Sequence, residues 1–144
     1  VKSPKLHFLD SGLACHLLGI REPDQLRTHP LRGPIFESWV VAEVLKARVH
    51  RGHAGDLHHF RENRGVEVDL VVETAGRLIA TEVKSGATLA SDSFTGLQRL
   101  RDRIEESALE TETDLRLVFG GDQGQRRTGI DAIPWREVQD HLWS

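Results

Sequence analysis

Two arms rich in β-branched and aliphatic residues, joined by a short loop, constrain this chain more than any other part of its sequence. The arms are Val66–Glu73 and Leu78–Lys84, and Thr74–Arg77 joins them. Gly76 in the loop can adopt the positive φ that a short hairpin turn requires. The segment therefore predicts one β-hairpin, in which the first and last residues of the loop pair.

This register brings charged side chains together. It sets Asp69 directly opposite Glu82. Because side chains alternate along a strand, Glu67 lies on the same face as Asp69, and Lys84 lies on the same face as Glu82. Opposed like charges destabilise a sheet by up to about 1 kcal/mol unless something neutralises them. A hard divalent cation would do so, and the hairpin therefore favours a metal site. The alternative is a surface pair of Glu82 and Lys84 on an exposed strand face.

The order of Asp69 and then Glu82-Val83-Lys84 on the adjacent strand resembles the signature of the PD-(D/E)XK nuclease-like fold. That resemblance implies an α/β protein with a restriction-endonuclease-like mixed β-sheet flanked by helices. It implies that Asp69, Glu82 and the backbone carbonyl of Val83 hold Mg2+ or Mn2+. Magnesium bound by oxygen ligands activates water and relieves charge at phosphorus. Lys84 would then act on the attacking water or on the phosphate.

A second resemblance extends over nearly the whole chain. Its motifs occur in the order Phe8–Leu13, Pro34–Glu37, Glu67–Asp69, Glu82–Gly86 and Ile133–Trp135. Together they resemble the C-terminal domain of unknown function that many prokaryotic AAA-type ATPases carry. The resemblance implies an N-terminal AAA-type ATPase domain in the same chain.

The sequence begins with Val1 and contains no Met, which suggests a fragment of a longer protein. It has no Gly-x-x-x-x-Gly-Lys-Ser/Thr segment to bind phosphates, so we expect ATP only through that other domain. Residues 1–144 are predicted to form one domain. Its N-terminal strand, helix and loop occupy 1–33, and the nuclease-like core occupies 34–144.

Glu37 is the candidate third acid of the site, as a catalytic residue and a metal ligand. A helix is predicted from Pro34 to about Arg48, and Glu37 lies beside its buried stripe. From spacing alone, a glutamate that complements the helix dipole is the simpler alternative. The family resemblance favours the site.

The other elements follow from periodicity. Lys5–Leu9 predicts a strand. A helix capped by Asp10 or Ser11 follows, with a buried face of Leu13, Ala14, Leu17 and Leu18, and then a loop over Ile20–Gly33. A strand at Asp56–Arg61 and a turn at Asn63–Gly65 precede the hairpin and complete an antiparallel meander. A helix from Ser91 or Asp92 is predicted next, with a buried face of Phe94, Leu97, Leu100, Ile104 and Ala108. The strand Leu115–Phe119 that follows it should lie parallel to Leu78–Lys84. The last predicted elements are an edge strand Ile130–Ile133 and a helix Trp135–Leu142.

Any contact with DNA must be local, because the formal charge of −3 does not demand nucleic acid. The candidate phosphate contacts are Arg61, Arg64, Arg99 and Arg103, for which a solvated surface is the alternative. Gln98 is added by resemblance to nuclease families of this fold that place a glutamine on the next helix.

Four histidines invite a zinc hypothesis, namely His50, His53, His58 and His59. Adjacent strand residues face opposite ways, so His58 and His59 cannot both reach one ion without a bulge. Zinc is therefore not favoured. Cys15 is the single cysteine and is expected to fill the core.

No apolar run reaches the roughly 18 residues that cross a bilayer, so we expect a cytoplasmic protein without a membrane partner. The favoured function is a DNA-interacting, Mg2+-dependent nuclease-like module attached to an AAA-type ATPase. The alternative is a non-catalytic domain that binds DNA or a protein, or that regulates the ATPase. The sequence leaves open whether the module cleaves DNA and whether it forms an oligomer.

Overall fold

A computed structural model describes residues 4–62, 65–74, 76–107 and 111–143. Within these residues a mixed sheet is flanked by helices, so the prediction of an α/β protein is confirmed. The strands are β1 His58–Arg61, β2 Glu67–Thr74, β3 Arg77–Lys84, β4 Glu112–Phe119, β5 Gln125–Arg127 and β6 Ile130–Pro134. The helices are α1 Ser11–Leu17, α2 Pro23–Thr28, α3 Arg32–His50 and α4 Thr95–Glu106, with 3₁₀ turns at Ser91–Phe94 and Trp135–Asp140.

The predicted hairpin and its register are confirmed. Strands β2 and β3 pair antiparallel from Thr74 and Arg77 to Leu70 and Thr81. Gly76 has a φ of 80°, the left-handed conformation that the short loop needs. Strand β1 pairs antiparallel with β2 and completes the predicted meander.

The sheet order is β1-β2-β3-β4-β6-β5. Strand β4 lies parallel to β3, as predicted, with α4 in the connection between them. Strand β6 lies parallel to β4, but the prediction that it forms the edge is wrong, because β5 pairs with its other side. All of β5 is exposed. A strand this short has no alternation of apolar residues from which it could be predicted.

Two hydrophobic layers cover the sheet. On one side, α3 packs Val40 and Val44 against Leu70 and Ile79. On the other side, Phe94 and Leu97 pack against a second set of strand residues, Val68, Ala80, Leu115, Leu117 and Ile130. The helix predicted from Ser91 begins as a 3₁₀ turn, and Ala108 lies outside the described residues.

The N-terminal third departs most from prediction. Residues 5–9 form no strand, and the predicted loop contains α2, which Pro23 begins and a capping box of Glu22 and Gln25 stabilises. Asp10 caps α1 as predicted, since its side chain accepts a hydrogen bond from the Leu13 backbone N–H. The prediction of a buried apolar face on α1 is wrong. Only Ala14 is buried there, and the three leucines are exposed.

The C-terminal helix is shorter than predicted. It is a 3₁₀ helix that ends at Asp140, and it is followed by Trp143, which is fully buried. Trp135 packs edge-on against Trp39 of α3. Among the described residues, no helix combines the length and the apolar character needed to cross a membrane.

Candidate functional site

The site lies at the open end of the hairpin, where the pairing of β2 and β3 stops. The last pair is Leu70 with Thr81. The next residues toward the open end are Asp69 on β2 and Glu82 on β3, the two acids predicted to lie opposite each other. Asp69 Oδ2 accepts a hydrogen bond from the Val83 backbone N–H at 3.0 Å. The Asp69 side chain therefore hydrogen-bonds β2 to β3 at the point where the backbone pairing ends.

Glu82 and Lys84 form a close pair beside Asp69. Lys84 Nζ donates to Glu82 Oε1 at 2.6 Å. Only 13% of the Glu82 side chain is exposed, and its Oε2 has no hydrogen-bond partner among the described residues. Burial, together with the negative charge of Asp69, raises the pKa of Glu82 from 4.5 to about 7 despite the contact with Lys84. Glu82 is therefore an acid whose charge the site disfavours.

Lys84 is held in its charged form. Burial alone would lower the pKa of its ammonium, but the hydrogen bond and the charge of Glu82 outweigh burial and raise the pKa. A lysine with a raised pKa is a poor general base at neutral pH. Its chemistry here is that of a fixed positive charge and a hydrogen-bond donor.

Glu37 reaches the same cluster from the first turns of α3. Its Oε1 lies 2.7 Å from Lys5 Nζ, and Lys5 Nζ donates to Asp69 Oδ1 at 3.0 Å. One ammonium group therefore links the predicted third acid to Asp69. Glu37 Oε1 is buried, and its ion pair with Lys5 is a short one.

Lys5 is the residue that sequence reasoning missed. Burial opposes its charge, yet its contacts with Glu37 and Asp69 raise its pKa above the ordinary value. His7 follows on the same side, with Nδ1 3.3 Å from Ser38 Oγ, and burial lowers the pKa of its imidazole. The alternation of Lys5 and His7 with apolar residues was the available signal. That alternation predicts a strand, whereas in the structure Lys5 and His7 form a polar edge that faces the acids.

Gly96 allows α4 to approach this cluster closely. A Cβ at Gly96 would lie 3.0 Å from the carbonyl oxygen of Glu67 and 3.6 Å from Glu82 Oε2. The contact of 3.0 Å is tighter than ordinary carbon–oxygen packing. Gly96 is therefore a second residue that the sequence did not single out.

The donor set suits a hard divalent cation in its chemistry. The carboxylates of Asp69, Glu82 and Glu37 and the carbonyl of Val83 offer oxygen, and Glu82 Oε2 is a buried acceptor without a partner in the described part of the chain. Across that part, however, no three His, Cys, Asp or Glu side chains converge closely enough to hold a metal ion. The carboxylates suit the ion in their chemistry, and Lys5 now lies between Glu37 and Asp69.

Two histidines of the zinc hypothesis lie on the first strand of the sheet. His58 and His59 are in β1, where the pairing with β2 shifts between His58 and Phe60. They line a shallow pocket of about 330 Å³ with Leu100 and Ile104.

The candidate DNA contacts are scattered over the surface. Arg61 Nε lies 3.8 Å from Glu67 Oε2, and Arg103 pairs with Glu106 at 3.2 Å. Gln98 Nε2 donates to Thr128 Oγ1 at 3.1 Å, so its amide is directed at the turn between β5 and β6. Arg99 is exposed on α4, and Arg64 lies outside the described residues.

A cavity of about 380 Å³ lies beside the cluster, and none of the cluster's carboxylates lines it. It is lined mostly by apolar groups of the helices, including Cys15, Phe36 and Trp39. Ser85 and Gly120 close it at the ends of β3 and β4. Cys15 is partly exposed, so the prediction that it fills the core is wrong.

A family model described as "Domain of unknown function (DUF4143)" matches residues 32–138. This match covers α3, the whole sheet and the three carboxylates. The chain belongs to the DUF4143 family. Part of the second resemblance is thereby confirmed, since it pointed to a domain of unknown function.

Two curated relatives of this DUF4143 chain are uncharacterized proteins of Mycobacterium bovis and Mycobacterium tuberculosis. Each is 31% identical over 87 residues, which is 60% of this chain and 19% of the relative. The match thus spans about a fifth of the relatives' length. No solved structure matches the chain significantly.

Proposed function

We propose that this DUF4143 domain binds Mg2+ or Mn2+ at Asp69 and Glu82 and acts on DNA phosphodiesters. We further propose that its sheet and helices form a restriction-endonuclease-like core. The observation that carries the proposal is the meeting of an aspartate, a glutamate and a lysine at the end of one hairpin. Lys84 Nζ lies 2.6 Å from Glu82, and the Asp69 carboxylate bonds the Val83 backbone between them.

In this proposal Asp69, Glu82, Glu37 and the Val83 carbonyl would hold the ion. The ion supplies a Lewis acid that lowers the pKa of bound water and neutralises charge on the phosphate. Lys84, protonated in the cluster, donates to a phosphate oxygen or to the attacking water. Glu82 would gain most from the ion, because burial and the repulsion by Asp69 now raise its pKa and a cation next to it would offset both.

A nucleic-acid surface would have to be assembled from few side chains. Arg61 and Arg99 are exposed, and Gln98 and Arg103 lie on the same helix as Arg99. Each phosphate that such a group neutralises releases counterions, so binding would weaken with salt. We propose these four residues, with Arg64, as the DNA contacts.

We also propose that the domain belongs to a longer chain with an AAA-type ATPase. DUF4143 domains are commonly associated with such ATPases. The relatives are about five times longer than the segment matched here, since that segment is 19% of their length. ATP binding would then be a property of that other part, and the protein would act in the cytoplasm.

A non-catalytic interaction domain is the second candidate function. The observation that favours it is the apolar surface of α1 and the segment before it. Leu6 is 91% exposed and Leu17 is 66% exposed, and Phe8, Leu9 and Leu13 are exposed beside them. Contiguous apolar surface of this kind often marks a protein contact.

A nuclease assay on the purified protein separates the two candidates. Single-stranded, duplex and branched DNA are incubated with Mg2+ or Mn2+, or with EDTA. The expected result is cleavage that requires the metal. Asp69→Asn and Lys84→Ala should each lower the rate at least about 100-fold, since one removes a ligand and the other a group that acts on water or phosphate.

Calorimetry distinguishes the two variants. Lys84→Ala should retain Mn2+ binding, and Asp69→Asn should lose it. Lys46→Ala is the matched control, because Lys46 is ion-paired to Glu43 on the surface of α3. Absence of cleavage on all three DNA substrates, with wild-type protein that binds no metal, would leave the interaction domain as the better account.

A further inference from the structure

The ammonium group of Lys5 lies in the middle of the acidic cluster. Its Nζ is 2.7 Å from Glu37 Oε1, 3.0 Å from Asp69 Oδ1 and 3.6 Å from Glu67 Oε1. The Lys5 side chain is 28% exposed, so these contacts are only partly screened by water. Lys5 therefore supplies the positive charge that these carboxylates need in order to remain close together.

Both oxygens of Asp69 are already engaged. Oδ1 accepts from Lys5, and Oδ2 accepts from the Val83 backbone N–H. A divalent cation bound to Asp69 would lie within a few ångströms of Lys5 Nζ, where two positive charges repel strongly. The carboxylates of Asp69 and Glu37 therefore cannot bind Lys5 and a divalent cation together as tightly as they bind either one alone.

The segment that carries Lys5 is held to the protein mainly by polar contacts. Residues 4–9 form neither helix nor strand, and Leu6, Phe8 and Leu9 are exposed. Lys5 and His7 alternate with them and face the cluster, with His7 close to Ser38. Because little apolar surface is buried here, loss of the Lys5 contacts would remove much of what holds the segment.

We infer that Lys5 is the resident cation of this site and that a divalent cation binds by displacing it, which releases residues 4–9 from the protein surface. This inference rests on the proposed function, because it concerns the same carboxylates. It adds a regulation of the site. The N-terminal segment is docked when Lys5 fills the cluster and free when a divalent cation does.

Calorimetric titration with Mn2+ tests the competition. Lys5→Gln replaces the ammonium group with a neutral amide on a side chain one atom shorter and so removes the charge, and Mn2+ should bind at least about tenfold more tightly than to wild type. Lys46→Gln is the matched control, because it removes a lysine charge from the Glu43 pair on another part of the surface. It should bind Mn2+ as wild type does.

Limited trypsin digestion of the wild-type protein tests the release without any substitution. Trypsin cleaves after lysine only when the side chain is free to enter the protease, so the Lys5–Leu6 bond is protected while Lys5 is docked. Saturating Mn2+ should accelerate cleavage at this bond about tenfold, because cleavage follows the population of the open form. The Arg51–Gly52 bond at the end of α3 serves as the internal control for effects of Mn2+ on trypsin itself.

The outcomes separate this inference from the proposed function. Tighter binding by Lys5→Gln and Mn2+-dependent cleavage after Lys5 support the inference. Mn2+ binding that is equal or weaker in Lys5→Gln, or cleavage that Mn2+ leaves unchanged, overturns the inference while the metal site stands. If neither protein binds Mn2+, both the metal site and the competition are wrong.

Discussion

Glu82 is held where two effects disfavour its charge. Its side chain is largely buried, and the charge of Asp69 is close by, whereas only Lys84 compensates directly. By contrast, Lys5 joins Asp69 and Glu37. The cluster therefore contains one well-neutralised pair of acids and one acid that is ready to accept a proton or a cation.

The raised pKa of Glu82 predicts a pH dependence of stability. Folded Glu82 keeps its proton up to about pH 7, whereas the group loses it near 4.5 in the unfolded chain. Unfolding between these values releases a proton, so the free energy of unfolding falls as the pH rises through this window. The loss amounts to roughly 3 kcal/mol, since one pKa unit corresponds to about 1.4 kcal/mol.

Glu82→Gln cannot ionise and should lack this loss. Urea unfolding of both proteins in EDTA, at intervals from pH 4.5 to 8, measures the difference. The variant should gain stability relative to wild type as the pH rises. Glu73→Gln, on the same hairpin, corrects for the general effect of the substitution. Parallel profiles of wild type and Glu82→Gln would show that the site does not disfavour this charge.

At the scale of elements, the hairpin was predictable because its evidence is local. The loop fixes the register of Leu70–Thr74 against Arg77–Thr81, and this register brings Asp69 and Glu82 next to each other just beyond the last pair. For Glu37 the sequence left two alternatives, a place in the site or a glutamate that complements the helix dipole. The spacing of residues on a helix does not show which part of the sheet the helix packs against. Lys5 and Gly96 escaped prediction for a related reason. Lys5 contacts Asp69 and Gly96 contacts Glu67, residues far from them in the chain, and no short sequence pattern encodes such contacts.

The approach of α4 to β2 predicts different results for two similar substitutions. Gly96 and Gly33 each occupy the first turn of a helix. A Cβ at Gly33 meets nothing within 4 Å apart from its chain neighbours, whereas one at Gly96 meets the Glu67 carbonyl at 3.0 Å. Gly33→Ala gains about 0.5–1 kcal/mol in backbone entropy, but its Cβ lies next to the ring of Pro34, which disfavours a helical conformation at the residue before it. This substitution should therefore change the stability by no more than about 0.5 kcal/mol.

Gly96→Ala should gain the same entropy and lose more to overpacking, which typically costs about 1–3 kcal/mol. It should therefore be less stable than Gly33→Ala by at least about 1 kcal/mol in urea unfolding. Mn2+ binding should also weaken in Gly96→Ala, since the new methyl group faces Glu82 Oε2. Equal stability of the two variants would mean that α4 moves away from the sheet without cost.

At the scale of the whole molecule, the C-terminal residues connect α3 to the sheet. Arg48 of α3 donates to the Trp143 carbonyl, and Arg116 of β4 donates to the Leu142 carbonyl. Both arginines are buried, and the Arg116 guanidinium lies 4.6 Å from the centre of the Trp143 ring. The helix that carries Glu37 is thus fixed to the sheet partly through the end of the chain.

Trp143 is the residue on which this arrangement depends, since it is 1% exposed and its Nε1 donates to the Val138 carbonyl at 2.7 Å. Trp143→Ala should lower the free energy of unfolding by about 3–5 kcal/mol, because it opens a cavity and exposes two buried guanidinium groups. Trp143→Phe keeps most of the ring and loses only the donor, so the cost attributable to that hydrogen bond should be about 1 kcal/mol.

Leu142→Ala is the control, because that side chain is exposed and its carbonyl survives the substitution. It should change stability by no more than about 0.5 kcal/mol. Urea unfolding at one pH ranks the three variants, and a cost for Trp143→Ala no larger than that for Leu142→Ala would show that the C-terminal residues do not hold α3 to the sheet.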